Sequence, residues 1–214
     1  MKILAVDTAL GACSVAICED DRTLAHHFTV MERGHAEALA PMVKDAMKQA
    51  GLTFDALDRL AVTTGPGTFT GQRVGLAFMR GLRVALSKPL IGVTTLSAMA
   101  HQAMKETGLG LAAALHDARR DEIYLELTGA VSIGPTIAPF VDAIAMLASR
   151  GGKLALAGTA APAAHERLAD SILSTVRQPD ALWVARLAMT MPASDQAPKP
   201  LYLRPPDAKL PAQS

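Results

Sequence analysis

The stretch Thr63-Thr64-Gly65-Pro66-Gly67-Thr68-Phe69-Thr70-Gly71-Gln72-Arg73-Val74-Gly75 decides how this 214-residue sequence is read. It runs from a strand end through a Gly-rich turn into a long helix, Phe69 to Leu86, with Pro89 just beyond it. Strand Arg59 to Thr63 leads in, and strand Leu90 to Thr94 and helix Thr95 to Lys105 lead out. Strand–helix–strand–helix implies parallel pairing. Upstream, Lys2 to Asp7, Cys13 to Cys18 and Thr23 to Val30 read as strands, and the short acidic turn Glu19-Asp20-Asp21 suggests an antiparallel meander. The class is α/β.

Between these parts Gly34 to Ala50 has helical periodicity, with Leu39, Met42, Val43, Ala46 and Ala50 on one face. Pro41 inside that pattern predicts a kink or a first turn that begins late. After Gly108-Leu109-Gly110 a second unit begins. Leu111 to His116, Glu122 to Thr128 and Lys153 to Ala157 read as strands. Val141 to Ala148, Pro162 to Ala169 and Asp180 to Met189 read as helices. From Met191 the chain is Pro-rich, with order expected around Leu201-Tyr202-Leu203 and looseness at the very end. The expected organisation is a lobe over residues 1–108, a smaller lobe over 109–190 and a tail over 191–214.

Half of the residues are hydrophobic, enough for a packed core. No apolar run approaches the roughly 18 residues of a membrane helix, and Asp7 interrupts the start too early for a signal peptide. A cytoplasmic protein without membrane contact is expected. Lys and Arg number 21 against 20 Asp and Glu, and aromatics are 4 %. That balance disfavours a dedicated nucleic-acid grip or a base-stacking platform. Cys13 and Cys18 lie five residues apart on one strand and so point to opposite faces. No internal disulfide or Cys-based zinc site is expected.

Two stretches could carry chemistry. Asp7, Thr8 and Gly11 sit at a strand end that leads into a hairpin. Such a hairpin can wrap a phosphate with backbone N–H groups, or it can be a tight turn in which Asp7 satisfies local N–H groups. The Thr63–Gly75 stretch has the shape of a helix-N-terminal anion site. It is not a Walker loop, because Gln72-Arg73 stands where Lys-Ser/Thr belongs, and Thr70 breaks the dinucleotide fingerprint. Gly71 and Gly75, one turn apart, equally suit close helix packing. Arg73, Arg80 and Arg83 share one face of the same helix, either solvated or as an interface rim. The six histidines make no pair at metal-binding spacing, and there is no G-x-S-x-G elbow.

In order and spacing, ILAVDTALGACSVAI, RGHAEALAPMV, TTGPGTFTGQRVGLA, PLIGVTTLSAMA, LHDARRDEIY and PLYLR resemble the TsaB (YeaZ) family. The resemblance runs from Ile3 to about Arg204. It implies an actin/Hsp70/sugar-kinase-like (ASKHA) fold of two RNase-H-like lobes with mixed sheets, the second lobe reduced. It implies a non-catalytic subunit of the complex that places threonylcarbamoyl on the adenosine 3′ of the anticodon in tRNAs reading codons that begin with A. The implied partners are the catalytic paralogue TsaD and the ATPase TsaE, with tRNA met through the complex and a homodimer as a competing assembly. No catalytic residue and no metal are implied. The H-x-x-x-H metal pair of TsaD falls here on Thr95 and Met99, and a hydroxyl and a thioether are poor replacements for two imidazoles. A peptidase label would need that site and is rejected. The implied partner surface comprises Gly34, His35, Leu39, Met42, Val43 and Ala46 on the first helix. On the second it comprises Phe69, Gly71, Gln72, Arg73, Gly75, Leu76, Met79 and Arg80. Asp7, Thr8 and Gly11 would form at most a vestigial loop for weak ATP or ADP binding, with no cofactor otherwise. An independent ATP-binding phosphotransferase of the same fold is the alternative.

Overall fold

The computed structural model describes residues 1–204. The first sheet is built from β1 (Lys2–Asp7), β2 (Ala12–Glu19), β3 (Arg22–Val30), β4 (Arg59–Gly65) and β5 (Leu90–Thr94). Helix α1 (His35–Ala50) joins β3 to β4, α2 (Phe69–Leu86) joins β4 to β5, and α3 (Thr95–Thr107) follows β5. The second sheet comprises β6 (Leu111–Asp117), β7 (Glu122–Gly129), β8 (Ile133–Pro139), β9 (Leu154–Ala157) and β10 (Ser171–Leu173). Here α4 (Phe140–Ala148) joins β8 to β9, α5 (Ala161–His165) joins β9 to β10, and α6 (Ala181–Thr190) comes last.

The strand orders are β3-β2-β1-β4-β5 and β8-β7-β6-β9-β10. In each sheet the first three strands form an antiparallel meander and the last two add in parallel. This is one mixed-sheet topology used twice, the two RNase-H-like lobes of the ASKHA class.

Alternation of side chains along each strand produces the layering, with alanines prominent on the inner faces. On the outer face of the first sheet Leu4, Val6, Val15, Ile17, Leu60 and Val62 pack under α1 and α2. Its inner face carries Ala5, Ala16 and Ala61 against α6. In the second sheet Ala113, Leu115, Leu154 and Leu156 face α4 and α5, while Ala112, Ala114, Ala155 and Ala157 face α3. Successive residues of a strand point to opposite faces, so runs such as LALA split cleanly. The small inner residues let α3 and α6 lie close between the sheets. Cys13 belongs to the outer cluster and Cys18 to the inner one, unpaired as the spacing predicts.

Several expectations change. Helix α1 begins at His35 and runs through Pro41, so no late first turn exists. Pro41 is exposed, where water can serve the carbonyl its missing N–H leaves free. Strands β8 and β10 are additional to the sequence reading. β8 holds Pro135 and Pro139 and lies at a sheet edge, where proline is tolerated. The helix expected over 162–169 shrinks to α5, which precedes β10. α3 follows the first sheet but packs on the second, and α6 follows the second but packs on the first. Residues 191–204 run back across the first lobe. Residues 205–214, where the loose end was expected, lie outside the described residues.

Candidate functional site

The turn opening α2 is built from side chains that replace missing backbone partners. Thr68 caps the helix, its hydroxyl accepting from Gly71 N at 3.1 Å. Gln72 is buried and donates from Nε2 to the Gly67 carbonyl at 3.0 Å. The Thr8 hydroxyl donates to Gly71 O at 2.7 Å and accepts from Gly75 N at 3.0 Å. A Cβ at Gly71 would overlap the Thr8 carbonyl oxygen, and one at Gly75 would crowd the Thr8 hydroxyl. These glycines therefore admit the β1–β2 turn of the same chain. The space over both is filled from within the chain by Thr8.

The rest of the predicted partner surface divides similarly. Leu39, Val43, Ala46, Leu76 and Met79 are buried in the core under α1 and α2. Met42 packs partly against that core. His35 places Nε2 3.0 Å from the Leu10 carbonyl. Gly34 is exposed and left-handed (φ 87°) at the start of α1. Phe69 is 51 % exposed. Its ring stacks on Tyr202, centroids 5.7 Å apart, beneath the Arg73 guanidinium at 3.4 Å. Among the described residues the α2 arginines bond to neutral oxygens of the C-terminal segment. Arg73 donates to the Tyr202 hydroxyl, Arg80 to the Pro198 carbonyl and Arg83 to the Asp195 carbonyl. The C-terminal segment is thus strapped along α2, and Leu201 N donates to Thr64 O at 2.8 Å. Arg204 ends the strap on the second lobe, bonded to the Ala118 carbonyl and Glu122.

α2 leaves Phe69, Thr70, Arg73, Ala77, Gly81, Val84 and Ala85 to solvent, with Val74 and Phe78 half-buried beside them. Val84 is 78 % exposed and Gly81 opens on empty space. Exposed Ala36, Ala40 and Pro41 lie on α1. Apart from Phe69 and Arg73, the sequence reading did not single these residues out, because the large apolar stripe it followed packs into the core. The opposite side of α2, a helix without an acid, carries small residues that recur at spacings of three and four, Ala77, Gly81, Val84 and Ala85.

A cleft of about 650 Å³ lies between the lobes, lined by Gly11, Arg33, Gly67, Thr68, His116, Arg119, Tyr124, Gln178 and Arg204 among others. The three residues of the predicted nucleotide loop are turned to internal use. Thr8 clamps α2 as above. Gly11 N donates to Gln178 Oε1 at 2.9 Å, so a side-chain amide occupies the backbone donor a phosphate would need. Asp7 is wholly buried. Its Oδ1 accepts from Thr63 Oγ1 at 2.6 Å and Ala9 N at 3.2 Å, and Oδ2 has no partner. Burial pushes its carboxyl up to about 7, against the pull of those two bonds. His116 lines the cleft and is pushed down to about 4 by burial. Gln178 had no local signal: it sits 167 residues from its partner.

At the positions of the paralogue's metal pair, Thr95 donates from Oγ1 to the Pro66 carbonyl at 2.6 Å, and Met99 is fully buried in the apolar layer around α3. Neither presents a ligand atom to the cleft, so the residues present do not fit that metal. Among the described residues no group of three or more His, Cys, Asp or Glu is placed to hold a metal ion. No helix among them is long and apolar enough to cross a membrane.

Residues 27–182 match the family model described as TsaD, tRNA N6-adenosine threonylcarbamoyltransferase. A relative named tRNA threonylcarbamoyladenosine biosynthesis protein TsaB from Escherichia coli is 41 % identical over 124 residues, covering 58 % of this chain and 53 % of the relative. The matched region therefore spans about half the length of that relative. An uncharacterised Mycobacterium tuberculosis protein is 36 % identical over 212 residues, 97 % of this chain and 93 % of its own. The solved structure of YeaZ from Pseudomonas aeruginosa matches with TM-score 0.79 and 31 % identity over 94 % of this chain and 99 % of that one.

Proposed function

Because this chain belongs to the TsaD-like family, on its TsaB (YeaZ) side, we propose that it is a non-catalytic subunit in the formation of threonylcarbamoyladenosine on tRNA. It acts as a scaffold, pairing through α1 and α2 with the catalytic paralogue TsaD and helping to recruit the ATPase TsaE. tRNA is met through the complex, in the cytoplasm, and no cofactor is resident.

The observation that carries this reading is the uncovered outer stripe of α2. Thr70, Ala77, Gly81, Val84 and Ala85 offer a small-sided face, edged by the exposed Arg73, on which a second helix pair can pack closely. The polar residues next to the cleft support it from the other side. Thr8, Gln72, Thr95 and Gln178 each bond within the chain, which suits a subunit whose cleft does no chemistry. No observation favours the independent phosphotransferase. A homodimer through the α1–α2 face remains the competing assembly.

The test is the mass in solution of the full chain, alone and mixed with the TsaD paralogue of the same organism. A stable heterodimer lost in Gly81→Trp supports the scaffold, and failure to associate with TsaE and ATP added removes it. Gly81 is the right position because a side chain there points into open space, whereas Gly75 and Leu76 are internal. Threonylcarbamoyladenosine in tRNA from depleted cells should fall; an unchanged level contradicts the function.

A further inference from the structure

Helix α5 has only five residues, so the outer layer of the second sheet ends before the sheet does. The gap is a cavity of about 170 Å³. Its floor is made of leucines: Leu111, Leu127, Leu147, Leu154 and Leu168. All but Leu111 are buried members of the lobe's core. Ser171 supplies the one hydroxyl in the lining, and it is used within the chain. It donates to the Leu168 carbonyl at 2.6 Å and lies 2.8 Å from His165 Nδ1. The floor therefore offers apolar contact. A cavity of about 150 Å³ lined by such side chains stays dry and takes a molecule the size of benzene.

The rim has a different chemistry. Arg150 and Arg167 line it just past the ends of α4 and α5, where the last helical carbonyls favour a cation. Both are exposed. Among the described residues neither guanidinium has a hydrogen bond or an ion pair. Asp170, also exposed, is the only acid in the lining. Two guanidiniums against one carboxylate leave a single positive charge in excess. That excess suits one negative charge, and a second would meet Asp170. Gly151 and Gly152 carry the chain past the rim at φ 66° and 83°, with open space where side chains would start. Nothing there closes the opening beside Arg150.

We infer that this cavity is a binding site for a small monocarboxylate with an apolar tail of about six carbons, the tail on the leucines and the carboxylate at Arg150 and Arg167. A planar guanidinium matches a carboxylate through paired N–H···O bonds, so the two parts of such a ligand meet the two parts of the site. A neutral hydrocarbon would fill the floor and leave both arginines unused. A polyanion such as a nucleotide would bring surplus charge to Asp170 and little to bury on the leucines. The site lies on α4 and α5 of the second lobe, so it stands apart from the partner reading of α1 and α2.

The test titrates the full chain with hexanoate and follows its backbone amides by heteronuclear NMR. Saturable shifts confined to residues 147–154 and 167–171 are expected, with a Kd on the order of 1 mM. Each CH₂ added from butanoate to hexanoate should tighten binding about fourfold. Hexanoate should bind about fivefold more tightly than 1-hexanol. Arg150→Gln with Arg167→Gln should remove that preference and leave 1-hexanol binding unchanged, and the Arg→Lys pair should keep part of it. Leu168→Phe fills the cavity and should abolish binding of both probes. If that variant does not fold, Ala148→Leu, on the exposed side of the cavity, should weaken both. No saturable shift up to about 20 mM hexanoate overturns the inference. So does equal binding of hexanoate and 1-hexanol, which would leave the arginines serving only the helix ends. Shifts that map elsewhere, or that survive in the cavity variant, overturn it too.

Discussion

The two sheets share a strand order, yet their equivalent ends behave as opposites. β1 closes on Asp7 and β6 on Asp117. Asp7 is wholly buried, and the turn after it is clamped by Thr8 on α2 and by Gln178 from the loop before α6. Asp117 is exposed, and the turn after it swings out through Arg119, Arg120 and Asp121, all left-handed, with φ of 62°, 59° and 59°. The glycines at the ends of the fourth strands match in both lobes, Gly65 closing β4 at φ 104° and Gly158 following β9 at 103°. What differs is the helix that follows: 18 residues in α2, five in α5. A long helix gives the first turn something to dock against. The short one leaves the second turn open and leaves a cavity of about 170 Å³ under Leu127, Leu147, Leu154 and Leu168. The topology is shared, and the docking comes from helix length and the small residues that permit contact.

The docking should break most sharply at Gly71. Gly71→Val places its Cβ on the Thr8 carbonyl oxygen. A loss of about 3 kcal/mol or more is expected by chemical denaturation. A loss under about 1 kcal/mol would mean the turn is not fixed by α2. The two cores give a second contrast. Met79→Ala removes a fully buried side chain from the first lobe and should cost about 3–4 kcal/mol. Leu147→Ala borders the existing cavity of the second and should cost nearer about 2 kcal/mol. Equal losses would show that both lobes are packed alike.

Protonation separates the lobes next. The Asp7 carboxyl sits at about 7 in the fold, above its ordinary value, so the folded state holds a proton that the unfolded chain releases. Its effect is a loss of stability as pH rises from about 4 to about 7. Asp7→Asn keeps the Thr63 and Ala9 bonds and removes this loss. The variant should gain on the order of 2 kcal/mol over the native chain at pH about 8, and little at pH about 4. His116 works the other way. Held down to about 4, it makes the fold lose stability as pH falls from about 6.5 to about 4. His116→Gln should flatten that acid limb by on the order of 1–2 kcal/mol. Melting temperatures across pH 4–8 read both, and parallel curves for variant and native chain would contradict the assignment. The smallest effect is Gly81→Ala, on the open side of α2, which should stabilise by up to about 1 kcal/mol through helix propensity.

Much of the architecture could be read in the chain because it depends on local pattern. The period-two alternation, the TTGPGTFTGQRVG turn and the glycines after helices are all short-range signals. The edge strands β8 and β10 were not legible, since β8 carries two prolines and β10 only three residues. Much of the candidate surface read from the sequence lies on the core face of α1 and α2. Leu39, Val43, Leu76 and Met79 are apolar because the chain's own first sheet covers them. Gly71 and Gly75 are small because Thr8 lies against them. The strap and Gln178 depend on partners more than 100 residues away, a distance over which residue periodicity carries no information.

The exchange of helices between the sheets has a consequence for the order in which the molecule can be finished. Ile3, Ala5 and Ala16 are made more than 160 residues before the side chains that cover them, Ala181, Val184, Ala185 and Ala188. During synthesis the first sheet can form its outer layer early, while its inner face waits for nearly the whole second lobe to emerge. A fragment stopping at residue 108 would show that face to water. Residues 1–108 are therefore not a folding unit that can be cut free, and the closing step of folding joins β1 and β2 to α6.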